Sequence, residues 1–299
     1  MGQVSSASMN HSQNGLQEYQ GYYINLTHSK DRRVYIKNHL KKLGLQPHFK
    51  RFKAVNGATQ KVPENSNLSS CELACYESHL GAFSRALDID KHLHIIEDDV
   101  LICKNFKSIV KAFLARQTNQ EWDIIFLGTN ISLIQEIYDA IDEQNFSVAN
   151  MVLTDLAGWG DTYAGSHSYL VNKASIAKVA RLLPSKKYDL AFDLALRYFI
   201  KTGELRGYIL LPLLCIPQVT FFEGTIADRD IEEQHLTKEH FHLASQLFFI
   251  DADHQEVYAK LIEYLYAKHN LVTKKPINNP TLKEVVDFFM SSLVIYRKK

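Results

Sequence analysis

Three consecutive carboxylates, Glu97-Asp98-Asp99, follow directly on the apolar run His92-Leu93-His94-Ile95-Ile96. Like charges a few ångströms apart raise one another's pKa, and burying them unpartnered is unfavourable, so such a triplet calls for something to neutralise it. A divalent cation does this most directly. Side chains alternate along a strand, so Glu97 and Asp99 face one side and Asp98 the other. The first and third can then share a hard cation such as manganese or magnesium, which also binds diphosphates. Asp98 is left for a sugar hydroxyl or a basic residue. Taken alone, the triplet reads equally well as a solvated acidic turn.

Other residues have the right type and place for chemistry. Arg32 and Arg33 lie between an expected strand and an expected helix, where a guanidinium reaches a diphosphate or a uracil edge; the alternative is a surface pair neutralised by Asp31. His79 sits on the polar face of a helix just upstream of the acidic strand, placed to contact a phosphate or orient a ligand carboxylate, and equally placed to be a core or capped histidine. The stretch from Gly158-Trp159-Gly160 to Gly165-Ser166-His167 reads as an acceptor loop, with Trp159 and Tyr163 as flat faces and glycines as hinges. Cysteines 71, 75, 103 and 215 lack the paired spacing of a zinc site and read as buried thiols, which fits a reducing compartment.

The elements that must position these groups alternate. Gly21 to Leu26 reads as a buried strand, followed by a helix through Val34, Ile36, Leu40 and Leu43 that Gly44 closes. Phe49 to Val55 is a second strand stopped by Asn56-Gly57. A helix beginning at Ser69 or Ser70 carries Leu73, Tyr76, Leu80, Phe83 and Leu87 at helical spacing. The strand 92–96 runs into the acidic triplet with Val100, Leu101 and Ile102 continuing after it, a helix covers 105–116, and Trp122 to Gly128 is a further strand. Residues 131–157 carry little pattern. Strand 168–171, helices 173–183 and 189–201, and strand 208–214 follow. This order predicts an α/β, Rossmann-like domain with a mainly parallel sheet and helices on both faces. Its carboxylates then stand at the carboxyl end of a strand, where open α/β sheets place ligands. The expected division is a disordered tail over 1–20, a catalytic domain over 21–227 and a helical C-terminal extension over 228–299.

Bulk properties exclude some classes. Lys plus Arg total 34 against 33 Asp plus Glu, so no nucleic-acid partner is expected. The N-terminal segment has no apolar core of signal-peptide length, and nothing approaches a membrane span, so the protein is expected in the cytoplasm. Met1-Gly2-Gln3-Val4-Ser5-Ser6 satisfies the short myristoylation pattern, yet its composition favours a plain polar tail. A last helix through Leu282, Val285, Val286, Phe289, Leu293 and Tyr296, followed by Arg297-Lys298-Lys299, either docks on the catalytic domain or makes peripheral contact with an anionic inner membrane; docking is the simpler reading.

Tyr23-Ile24-Asn25-Leu26 with Asp31-Arg32-Arg33, Phe52 to Gly57, Leu68-Ser69 to Cys75-Tyr76-Glu77-Ser78-His79-Leu80, and Ile95 to Val100 form successive blocks. These blocks resemble glycosyltransferase family 25, which includes lipooligosaccharide β-galactosyltransferases. Order and spacing match over about residues 20–225. The resemblance implies a GT-A type fold, a UDP-sugar donor, manganese or magnesium, a glycan or glycolipid acceptor, and inversion to a β-linkage. It puts Glu97 and Asp99 in the metal motif with Asp98 beside the donor, and Asn25, Arg32 and Arg33 in the opening donor-side motif. An inverting transfer needs a base apart from the metal. Asp193 resembles the acid after the family's Tyr-Leu-Val and Lys-Ala block; Asp189 and Asp161 compete, each equally a helix cap or loop acid. Around Thr162 to Tyr169 the chain departs from the family's Gly-Thr-x-x-Tyr wording. Gln218 and Thr225-Ile226 fall near a late donor-side block. Two other readings use the same residues: a metal-dependent phosphotransferase or hydrolase, and a non-catalytic glycan-binding module.

Overall fold

A computed structural model gives the fold over residues 19–116, 121–131, 151–218, 243, 245–269, 281 and 283–288. In chain order the elements are β1 (Tyr19–Asn25), α1 (Lys30–Lys42), β2 (Phe49–Lys53), α2 (Ser70–Ala86), β3 (His92–Glu97), β4 (Val100–Ile102), α3 (Phe106–Arg116), β5 (Ile124–Ile131), β6 (Val152–Asp155), β7 (Tyr163–Val171), α4 (Ile176–Leu182), α5 (Phe192–Lys201), β8 (Gly207–Leu211), β9 (Cys215–Pro217) and α6 (His254–His269).

Strands β1, β3 and β5 are buried along nearly their whole length, as strands covered on both faces must be. Edge strand β2 buries only Phe49 and Phe52 and exposes Lys50 and Lys53, charges that discourage further pairing. Local signals set the helix ends. Ser69 and Glu72 form a reciprocal capping box at the start of α2. At the end of α1, Gly44 takes φ 66°, its amide donates to Lys41 and the Leu45 amide to Leu40, and Leu45 is buried behind the turn.

One sheet of seven strands runs in the order β2-β1-β3-β7-β5-β8-β6. β1, β2 and β3 are parallel, as are β5 and β8, while β7 and β6 run against them. The α/β, mainly parallel sheet read from the sequence is present, with an antiparallel strand inserted near its middle. Helices cover both faces: Phe106 of α3 stacks on His94 on one side, and His79 of α2 bonds Tyr169 on the other.

Two expected strands divide. The strand from 92 does not continue through Val100 to Ile102, because the chain turns after Glu97 and β4 pairs with β9 in a separate ribbon. The stretch 208–214 likewise breaks at Pro212 between β8 and β9. β6 falls within the stretch 131–157, where the sequence carries little pattern.

The expected boundary near 228 and the tail before 19 lie outside the described residues. Described residues beyond 228 share the main core: Leu247, Phe248, Leu261, Val285 and Val286 are buried in it, and Leu213 exchanges backbone hydrogen bonds with Phe248 and Ile250. Val285, Val286 and Phe288, whose ring meets Tyr258 at 5.2 Å, thus dock their helix face on the protein. Leu282, Phe289, Leu293 and Tyr296 fall outside the described residues. Among those described, no helix is long and apolar enough to cross a membrane.

Candidate active site

Asn25 ends β1 and Glu97 ends β3, neighbouring parallel strands, so both reach the same carboxyl edge of the sheet. Asp98 and Asp99 form the turn after it. Strand alternation stops at Glu97, and Asp98 and Asp99 share one guanidinium instead of facing opposite ways. Arg32 Nη1 lies 3.4 Å from Asp98 Oδ1 and 3.0 Å from Asp99 Oδ2. Asn25 Nδ2 donates to Asp98 Oδ2 at 2.6 Å. Helix α1 holds this turn with one stripe: beside Arg32, the Tyr35 hydroxyl donates to the Val100 carbonyl at 3.1 Å, and His39 Nε2 accepts the Ile102 amide at 2.9 Å. Burial keeps the His39 pKa low, which preserves the lone pair that this bond needs.

Glu97 faces two histidines. His79 Nε2 is 3.9 Å from Oε1, and His167 Nδ1 is 3.8 Å from Oε2. His167 arrives by the antiparallel strand: Ile96 pairs with Ser168, so the next residues outward, Glu97 and His167, become cross-strand neighbours. His79 is buried, stacked on Phe192 at 4.0 Å, with Nδ1 hydrogen-bonded to the Tyr169 hydroxyl at 2.8 Å. Burial drives its pKa down to about 4, so it is neutral near pH 7. Burial pushes His167 the same way, but Glu97, with Asp99 and Asp193, overrides it and raises that pKa. Burial would raise Glu97, yet His167, His79 and Arg32 hold it low; Asp99 is raised by burial and then by Glu97. Burial also raises Asp98 against the pull of Asn25 and Arg32.

The chemistry of the donor set fits a divalent metal on a specific ground. Asp99 Oδ1, His79 Nε2 and both ring nitrogens of His167 are buried without a hydrogen-bond partner. Buried polar atoms are rarely left so, and two of these, His79 Nε2 and His167 Nδ1, face Glu97. Among the described residues no three His, Cys, Asp or Glu side chains form a preformed metal cage. Magnesium in nucleotide sites is commonly held by one or two carboxylates plus substrate phosphates, and two carboxylates such as Glu97 and Asp99 would match that share.

Beside the triplet opens a cleft of ≈ 330 Å³, bordered by Arg32, Glu97 and Asp98 and walled by the 54–58 loop and the Cys71, Cys75 and Ser78 face of α2. That loop is tied down: Val55 N donates to Ser78 Oγ at 2.9 Å, and Asn56 Oδ1 accepts the Ala58 amide at 3.2 Å. Gly57 presses so closely on α2 that a Cβ there would lie 2.9 Å from Cys71 Cα.

Of the expected site residues, Asn25, Arg32, His79, Glu97, Asp98 and Asp99 converge. Asp193 joins them from the first turn of α5, where Oδ2 accepts the amide of Gly165, a residue at φ 91°. Asp161 is exposed and pairs with Arg197 at 3.4 Å; Asp189 is exposed and lies 3.9 Å from Lys186. Arg33 donates to the Thr27 carbonyl at 3.3 Å. Tyr163 is buried against Phe126 and offers no free face, which corrects its reading as an acceptor platform. Gln218 lies by the triplet, its amide donating to the Asp99 carbonyl at 2.6 Å; Thr225 and Ile226 fall outside the described residues. Two contributors were not singled out from the sequence: His167 as the partner of Glu97, and Arg51, whose Nε donates to Asn25 Oδ1 at 2.9 Å. Arg51 stands between Lys50 and Lys53 in β2, so no local signal marked it.

Among curated proteins, none matches the chain. Among solved structures, a Bacillus anthracis protein titled as a glucose-1-phosphate thymidylyltransferase in complex with a sucrose is similar at 12% identity and TM-score 0.32, over 63% of this chain and 66% of that one. The profile described as glycosyltransferase family 25 (LPS biosynthesis protein) matches residues 19–195, a span that includes every residue converging on the acidic turn except Gln218. The chain belongs to glycosyltransferase family 25.

Proposed function

We propose that this glycosyltransferase moves a hexose, galactose first among candidates, from a UDP-sugar to a lipooligosaccharide or related glycan acceptor, with inversion and with a divalent metal. The observation that carries this reading is the acidic turn beside the cleft, where His79 Nε2 and His167 Nδ1, buried without a hydrogen bond, face Glu97. In this reading the cleft receives the nucleoside, and Asp98, held by Asn25 and Arg32, meets the ribose or sugar hydroxyls. Glu97 and Asp99 would hold manganese or magnesium, which when bound supplies neutralisation for the leaving diphosphate. Arg32, already paired to Asp98 and Asp99, adds positive charge on the same side.

Asp193 is the base. Gly165 occupies Oδ2, so Oδ1 takes the proton of the acceptor hydroxyl. The acceptor oxygen then bonds the anomeric carbon from the face opposite the diphosphate, the bond from that carbon to the phosphate oxygen breaks, and UDP leaves. A glycolipid acceptor would bring the enzyme to the cytoplasmic face of a membrane.

The test is UDP release from a panel of UDP-sugars with and without manganese. Metal-dependent release from one sugar nucleotide, abolished in Asp99→Ala, is the expected result. Absence of release and of UDP binding with every donor would overturn the reading and favour a glycan-binding module.

A further inference from the structure

A run of hydrogen bonds leads from Asp98 to a residue that does not border the cleft. Arg51 stands on β2 opposite Tyr23 of β1, and its Nε and Nη2 donate to Asn25 Oδ1 at 2.9 Å and to the Asn25 carbonyl at 3.2 Å. Asn25 in turn gives its amino group to Asp98 Oδ2 at 2.6 Å and to the Ser29 carbonyl at 3.1 Å. We infer that Arg51 is a positioning residue, which acts through Asn25 to fix Asp98 at the edge of the donor cleft. Its consequence for the donor rests on the UDP-sugar reading above.

The inference follows from donor and acceptor arithmetic. A guanidinium only donates, and an ionised carboxylate only accepts. The Asn25 amide lies between one of each, so a single orientation satisfies both: oxygen toward Arg51, amino group toward Asp98. Flipped, it would set N–H against N–H and oxygen against oxygen at a site only 1% exposed. Arg51 therefore fixes the oxygen end of Asn25, while Asp98 and the Ser29 carbonyl take the amino end. Arg32 takes the other carboxylate oxygen, so Asp98 is held from two sides in one rotamer. A lysine at 51 keeps the charge but lacks the planar fork that reaches the side-chain oxygen and the main-chain oxygen together.

The experiment compares wild type, Arg51→Lys, Asn25→Ala and the double variant. In ligand-free protein, the Asn25 side-chain amide signals, assigned by their loss in Asn25→Ala, should exchange slowly in wild type and about ten-fold or more faster in Arg51→Lys, with backbone spectra otherwise preserved. With manganese present, Arg51→Lys should weaken UDP binding about ten-fold in the wild-type background and less than about two-fold in the Asn25→Ala background. Unchanged Asn25 exchange in Arg51→Lys would overturn the inference, as would an equal loss of UDP affinity in both backgrounds, which would mean that Arg51 acts directly. Should wild type bind no UDP, the donor reading fails, while the exchange measurement still decides whether Arg51 orients Asn25.

Discussion

The two sides of this site are assembled differently. The cleft side comes from one uninterrupted stretch, residues 19–99, in which parallel strands β1, β2 and β3 alternate with α1 and α2. The opposite side comes from residues 165–193 and depends on β7 running backwards between β3 and β5 to set His167 beside Glu97. Parallel units connected by helices always deliver their loops to the same edge, so the first side follows from element order alone. An antiparallel insertion delivers the beginning of its strand to that edge, and only the register says which residue arrives.

Substitutions across this divide should separate binding from chemistry. Asp99→Asn keeps a group for Arg32 but removes the charge, and should lower transfer about 10³-fold with melting temperature preserved, measured by UDP release and thermal unfolding. On the opposite side, Asp193→Asn can still accept the Gly165 amide but cannot take a proton. It should lose about 10²-fold in kcat with little change in donor KM, whereas Asp193→Ala, which also frees the loop, should lose more. Equal losses in the two Asp193 variants would indicate that the residue only holds Gly165.

Stability offers a contrast independent of turnover. Burial lowers His79 to about 4 and His94 to about 3, so the folded protein refuses protons that the unfolded chain accepts below its ordinary histidine pKa. Both contributions are complete above about pH 6.5 and are lost as pH falls toward about 4 for His79 and about 3 for His94, on the order of 1 kcal/mol per pH unit for each histidine. Urea unfolding across that range should show the slope, and His94→Leu should flatten it. The smallest effects belong to residues that the fold leaves outside: Asp161→Asn, Asp189→Asn and Arg33→Ala should each stay within about two-fold of wild-type activity.

The contrast between the sides is also a contrast in legibility. Ser69 with Glu72, Gly44, and the apolar run before Glu97 are local signals, and they located α2, the end of α1 and the acidic edge. Arg32, His79 and Asn25 followed because each sits at a strand end or on a helix flanking that edge. The sense of β7 could not be read, since the run Ser168 to Val171 is equally apolar in either direction. Asp161 and Asp189 stayed in competition with Asp193, the first choice, because a carboxylate near a helix start has the same local pattern whether it faces solvent or the site. Arg51 was hidden for a related reason: its partner, Asn25, is on a neighbouring strand and remote in sequence. The Glu97 and Asp99 alternation failed where the strand itself ended.

The central claim is that the cleft and the acidic turn bind a nucleotide diphosphate together with a metal. Calorimetric titration of UDP into wild type and Asp99→Asn, each with and without manganese, tests it most directly. The account predicts saturable binding by wild type that requires manganese and weakens at least about ten-fold in Asp99→Asn. Binding of equal strength in the two proteins, or binding indifferent to manganese, would contradict it.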